Sequence, residues 1–176
     1  GSGWGNQDER SAIATIHAAL EQGINFFDTA EGYNDGRSEE IVGKALADRR
    51  DQAVIASKIS PNHTAPDQLR GYLEAALRRM QTDYVDVYMI HWPIRTHPLA
   101  DSLAVMQELK QEGKIRAIGI SNASADNIEL YRAAGVLDSD QERYSMLDRA
   151  MEQDRLPYCQ REGIAFLAYS PLGRGL

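Results

Sequence analysis

One cysteine, Cys159, stands in the 176 residues of this chain, which excludes an internal disulfide and a cysteine metal cage. That scarcity fits a reducing, cytoplasmic setting. No apolar run approaches the ~18 residues of a membrane span, and no signal peptide is expected at the start. Basic residues are in deficit: 19 Lys and Arg against 26 Asp and Glu leave a net charge of −7. Such a chain suits neither nucleic acid nor an anionic membrane surface as its main partner. The histidines His17, His63, His91 and His97 show no paired ligand spacing, so no metal is expected. There is no G-x-S-x-G elbow for a serine hydrolase and no G-x-G-x-x-G after the first strand.

What is there is an alternation. An opening helix, capped by Asn6 with Glu9 three residues on, carries Ile13, Ile16 and Leu20. Apolar runs then recur roughly every thirty residues, the size of one βα unit. They are INFFDT, AVIASKIS, YVDVYMIH, IRAIGIS, a polar strand from Gln141 to Met146, and IAFLAYS. Helices on Leu69, Leu73, Leu77 and Met80, and on Leu99, Leu103, Met106 and Leu109, lie between them. Ser38, Thr64 and Ser124 are the expected caps of three of these helices.

Alternating units leave two architectures, a doubly wound open sheet or a (β/α) barrel. The missing nucleotide fingerprint and the spread of polar residues over many strand ends favour the barrel. The expected fold is therefore an α/β (β/α)8 TIM barrel as a single domain over residues 1–176, with about six units present. A first strand and the C-terminal units are expected outside the chain.

Chemistry gathers at the strand ends. Asp28 closes the first run, Lys58 the second and His91 the third, while Tyr33 follows in TAEGYNDGRSEE. Parallel strands point one way, so these ends share one face. A buried Lys58 needs an anion, and Asp28 is the expected partner. Lys58 would then lower the pKa of Tyr33, and His91 would orient a carbonyl oxygen. Such a site protonates a developing alkoxide. It suits carbonyl reduction, and since no side chain delivers a hydride, a nicotinamide cofactor is implied.

The motifs FFDTAEGYNDGRSEEIVGKAL, VIASK, TDYVDVYMIHWP, GKIRAIGISN and AYSPLGRGL resemble those of the aldo-keto reductase family. The resemblance implies a (β/α)8 barrel that reduces aldehydes and ketones with NADPH, NADH remaining open. It implies Tyr33 as general acid, tuned by Lys58 and Asp28, with His91 orienting the small-molecule carbonyl substrate. It further implies that Ser121, Asn122 and Gln141 hold the nicotinamide carboxamide and that Tyr169 stacks on the ring. Ser170, Leu172 and Arg174 would line the pyrophosphate passage. Trp92, beside His91, and Trp4, before the first helix, are the expected substrate contacts. The alternative that the resemblance leaves open is a redox-sensing regulatory barrel that binds NADPH and turns over slowly.

Overall fold

The computed structural model describes residues 8–94 and 96–173; Trp4, Asn6 and Arg174 lie outside the described residues. The elements run α1 (Glu9–Glu21), β1 (Phe26–Asp28), α2 (Arg37–Leu46), β2 (Val54–Ile59), α3 (Pro66–Met80) and β3 (Val85–Ile90). They continue as α4 (Leu99–Gln111), β4 (Ile115–Ser121), α5 (Ala125–Ala133), β5 (Ser139–Arg143), α6 (Arg155–Glu162) and β6 (Ala165–Tyr169).

Capping follows local chemistry, with three departures from expectation. Asp8 caps α1, its Oδ2 accepting from the Ser11 amide at 3.1 Å. Gly36 precedes α2 at φ 85° with no side-chain cap. Asn34 and Asp35 also take positive φ, so the chain turns into α2 through three left-handed residues. Ser38 falls inside that helix and its hydroxyl accepts from Thr29 Oγ1 at 2.9 Å. Ala65, not Thr64, caps α3, because Pro66 at the first helical position pins the start and Thr64 donates back to the Pro61 carbonyl. Ser124 does cap α5, in a capping box with Asn127.

The strands form one sheet in the order β1-β2-β3-β4-β5-β6, and every pairing is parallel. Each strand lies beside its predecessor, with no reversal of direction across the sheet. A doubly wound sheet requires such a reversal, so the order selects the barrel. The sheet also curls. Gln141 on β5 donates to Asp28 at the end of β1 over 2.9 Å. In a flat sheet those strands would stand about 19 Å apart, four spacings of about 4.8 Å.

Two layers of side chains result. On the outer face Ile55, Ile59, Tyr88, Ile90, Ile118 and Ile120 pack against the apolar stripes of α3, α4 and α5. On the inner face lie Ala56, Lys58, Met89, Gly119, Ser121 and Gln141, paired neighbour to neighbour. Gly119 is required there, because an added Cβ would collide with Ser139 Oγ and Met89 Cγ. Among the described residues no helix is long and apolar enough to cross a membrane.

Candidate active site

The inner face ends in a polar rim built by the last residues of successive strands. Lys58 is the penultimate residue of β2 and only 1% exposed. Its ammonium donates to Asp28 Oδ2 at 2.7 Å and to the Thr29 carbonyl at 2.8 Å, and it stands 3.5 Å from the Tyr33 hydroxyl. Those three contacts match the three donors of an ammonium. Burial pulls the Lys58 pKa down, and the Asp28 carboxylate opposes that shift.

Tyr33 lies in the loop after β1, where its amide donates to the Ala30 carbonyl at 3.1 Å and the left-handed residues Asn34, Asp35 and Gly36 follow it. Its phenol is pushed up to about 12, first by burial, then by the Asp28 carboxylate and Tyr169. The expected acidification by Lys58 is therefore overturned: desolvation and a nearby anion outweigh a cation that Asp28 already neutralises. The phenol is held protonated at neutral pH. Such a group remains competent to give its proton to an alkoxide, a far stronger base, with a cation in place to meet the phenolate.

His91 follows β3, and its ring meets that of Tyr33 edge-on at 5.7 Å and 77°. Burial and then Lys58 hold it down to about 4, so the imidazole is neutral. A neutral ring can donate a hydrogen bond to an oxygen without competing for its proton. Trp92 is 53% exposed beside it and, with Pro61, Asn62, Pro93 and Thr96, lines a cavity of about 280 Å³.

A second polar group adjoins the first. Ser121 is buried at the end of β4, and Asn122 follows at φ 56°. Asn122 Nδ2 donates to the His91 carbonyl and to Ser121 Oγ, both at 3.0 Å, and Oδ1 accepts from the Tyr169 hydroxyl at 2.8 Å. Gln141 gives its amide to Asp28 Oδ1. Ser170 takes φ 52° after β6, and Leu172 is 80% exposed. The structure thus brings Asp28, Tyr33, Lys58, His91, Ser121, Asn122, Gln141 and Tyr169 into one contact network, with Trp92 against its edge.

Sequence reading missed three contributors. The Thr29 carbonyl is a backbone group and leaves no side-chain signature. Glu142 accepts from the N–H, and Arg155 donates to the C=O, of Ala123, the residue after Asn122. Their signal was present in the alternation Asp140-Gln141-Glu142, which places two acids together on the buried outer face.

Over residues 1–176 the sequence matches the Aldo/keto reductase family. The chain belongs to that family. It is 42% identical over 186 residues to aldo-keto reductase YhdN of Bacillus subtilis, covering 100% of this chain and 56% of that protein. It is 43% identical over 199 residues to the NADH-specific methylglyoxal reductase of Escherichia coli, covering 100% and 61%. A crystal structure of an aldo/keto reductase from Klebsiella pneumoniae in complex with NADP and acetate superposes with a TM-score of 0.90. There the identity is 35%, over 94% of this chain and 59% of that one. The chain spans between half and two thirds of the length of these relatives, and its six parallel strands correspond to part of the family's (β/α)8 barrel.

Proposed function

We propose that the protein reduces aldehyde or ketone carbonyls to alcohols, using NADPH or NADH and a tyrosine as general acid. The observation that carries this reading is the Asp28–Lys58–Tyr33 chain, with contacts of 2.7 and 3.5 Å, facing a neutral His91. The likeness to reductases, one of them NADH-specific and another crystallised with NADP, supports the same reading.

The donor set fits a nicotinamide. Its carboxamide presents one carbonyl acceptor and one amide donor. The Ser121 hydroxyl and the Asn122 and Gln141 carboxamides supply both complements at neighbouring strand ends. Tyr169, tied to Asn122 by its hydroxyl, presents a ring for stacking. Ser170 and Leu172 would continue toward the pyrophosphate. When bound, the nicotinamide supplies a hydride to the carbonyl carbon.

The chain's own residues handle the proton. Tyr33 gives its hydroxyl proton to the carbonyl oxygen as negative charge develops there. Lys58 meets the resulting phenolate, and Asp28 keeps Lys58 charged and in place. His91 donates a hydrogen bond to the same oxygen and aims the carbonyl. Trp92 and the adjoining cavity would receive the substrate's apolar remainder. A lone buried cysteine fits a cytoplasmic setting for this chemistry.

Tyr33→Phe tests the assignment in the full-length protein. Turnover of a reactive aldehyde should fall about 10²–10⁴-fold, the worth of a general acid, while the dissociation constant for NADPH stays nearly constant. Retained turnover, or lost cofactor binding, would sink it. Tight NADPH binding with negligible turnover in the wild type would instead support the redox-sensor alternative.

A further inference from the structure

Behind the Asn122 turn, on the outer face of the sheet, lies a buried ionic cluster that the proton-transfer site does not use. Asp140 and Glu142 both project outward from β5 and are buried there with Arg155, from the first turn of α6. Arg155 Nη1 donates to Asp140 Oδ2 at 2.9 Å and lies 3.5 Å from Glu142 Oε1. Its Nη2 donates to the Ala123 carbonyl at 2.9 Å. Glu142 Oε1 accepts from the amide of that same residue at 2.7 Å. Ala123 is thus gripped by its N–H and by its C=O.

Ala123 directly follows Asn122, which takes a left-handed φ of 56°, a region open to asparagine more than to most side chains. Asn122 holds the His91 carbonyl, Ser121 Oγ and the Tyr169 hydroxyl. Whatever fixes the Ala123 backbone therefore helps fix the polar groups, Ser121 among them, offered to a nicotinamide carboxamide.

The charges in the cluster do not balance. Two carboxyl groups face one guanidinium, and the buried Asp140 Oδ1 has no hydrogen-bond partner among the described residues. The two carboxyl groups meet at the same guanidinium nitrogen, Arg155 Nη1, at 2.9 Å for Asp140 Oδ2 and 3.5 Å for Glu142 Oε1. We infer that Glu142 and Arg155 are positioning residues that clamp the Ala123 peptide and set the Asn122 turn, with one proton on Glu142, donated to Asp140, holding the clamp shut. The inference rests on the cofactor reading above.

Burial raises the Glu142 carboxyl from 4.5 to about 7, with Asp140 adding to the shift and the Ala123 amide and Arg155 opposing it. Asp140 is also raised, by burial first. Few other groups compete. Along β4 and β6 the paired neighbours of this face are Ile120, Phe166 and Ala168. Cys159 of α6 is pushed up to about 11 by burial and stays a thiol. Asp126 and Glu129 of α5 and Asp154 before α6 are exposed to solvent. Loss of the Glu142 proton would leave two buried anions against one cation, and the grip on Ala123 would loosen.

The test is the dissociation constant for NADPH, and for NADH, measured by fluorescence titration of the full-length protein between pH 5.5 and 8.5. Binding by the wild type should weaken at least roughly fivefold, the lower end of intersite coupling, as pH rises through about 7. Glu142→Gln keeps an acceptor for Ala123 and a donor for Asp140 but cannot titrate, so its affinity should stay level over that range. The advantage in Tm of Glu142→Gln over the wild type should grow from pH 5 to 8. Glu142→Ala and Arg155→Met should weaken binding at every pH. A wild-type pH profile retained by a folded Glu142→Gln overturns the clamp while leaving the reductase reading intact. If neither dinucleotide binds at any pH, the cofactor reading falls and takes this inference with it, even where the Tm difference appears.

Discussion

Gln141 Nε2 and Lys58 Nζ divide one carboxylate between them: Asp28 Oδ1 takes the amide at 2.9 Å and Oδ2 takes the ammonium at 2.7 Å. The contact joins β5 to β1 across the inner face, so it closes the curl of the sheet at the rim. It also links the proposed nicotinamide-binding group to the proposed proton donor through a single acid.

Gln141→Glu puts a second carboxylate against Asp28 at a position only 4% exposed. Like charges at that separation cannot both ionise, so one acid must take a proton. Turnover and Tm should both drop at pH 8 and recover on acidification toward pH 5. Gln141→Leu removes the amide without adding charge and should weaken NADPH binding about tenfold, the worth of one hydrogen bond, with no such recovery. Parallel pH profiles for the two variants would refute the shared-carboxylate account.

Asp28→Asn leaves the Lys58 ammonium buried without its counter-ion. Stability should fall by about 3 kcal/mol, the low end for breaking a buried pair, because Asp28 keeps a third of its side chain in water. Lys58→Met removes the buried charge itself and should cost less stability but more turnover, since nothing then meets the Tyr33 phenolate. Urea denaturation and steady-state rates on both variants separate these effects. The prediction fails if Lys58→Met is the less stable of the two.

Much of this was legible in the chain. A residue that ends an apolar run shows both its face and its end of the barrel, so Asp28, Lys58 and His91 could be gathered without a structure. The parallel order followed from helices between successive runs. What was illegible is what tertiary closure decides. The sign of the Tyr33 shift depends on burial and on Asp28, which sequence spacing does not report. Ser38 and Thr64 looked like caps because their side chains suit the role. A left-handed Gly36 and an N-terminal Pro66 took over those helix starts. The Asp28–Gln141 contact joins residues 113 positions apart.

His91 and Glu142 should oppose each other in the pH dependence of stability. His91 is held down to about 4, so between its ordinary value of 6.5 and 4 the unfolded chain binds the extra proton. Stability from this group falls as pH falls through that window. Glu142 is raised to about 7 from 4.5, so there the folded chain binds the extra proton, and stability falls as pH rises. In the wild type the two contributions should offset one another between pH 4.5 and 6.5. His91→Asn should uncover a Tm that declines as pH rises, and Glu142→Gln one that declines as pH falls. Calorimetric scans across that range check both signs, and slopes of the same sign in the two variants would contradict the assignment.

Gly119→Ala probes the packing beneath the rim. An added Cβ would strike Ser139 Oγ and Met89 Cγ at once, on strands to either side of β4. Overpacking of this kind costs about 1–3 kcal/mol. The strain should also reach the site, because Ser121 lies two residues further along the same inner face. The expected result is a lowered Tm together with weaker NADPH binding. Met89→Ala combined with Gly119→Ala vacates one of the two obstacles, so the pair should cost less than the sum of the single changes. Strict additivity in a double-mutant cycle would show that Met89 is not what Gly119 makes room for.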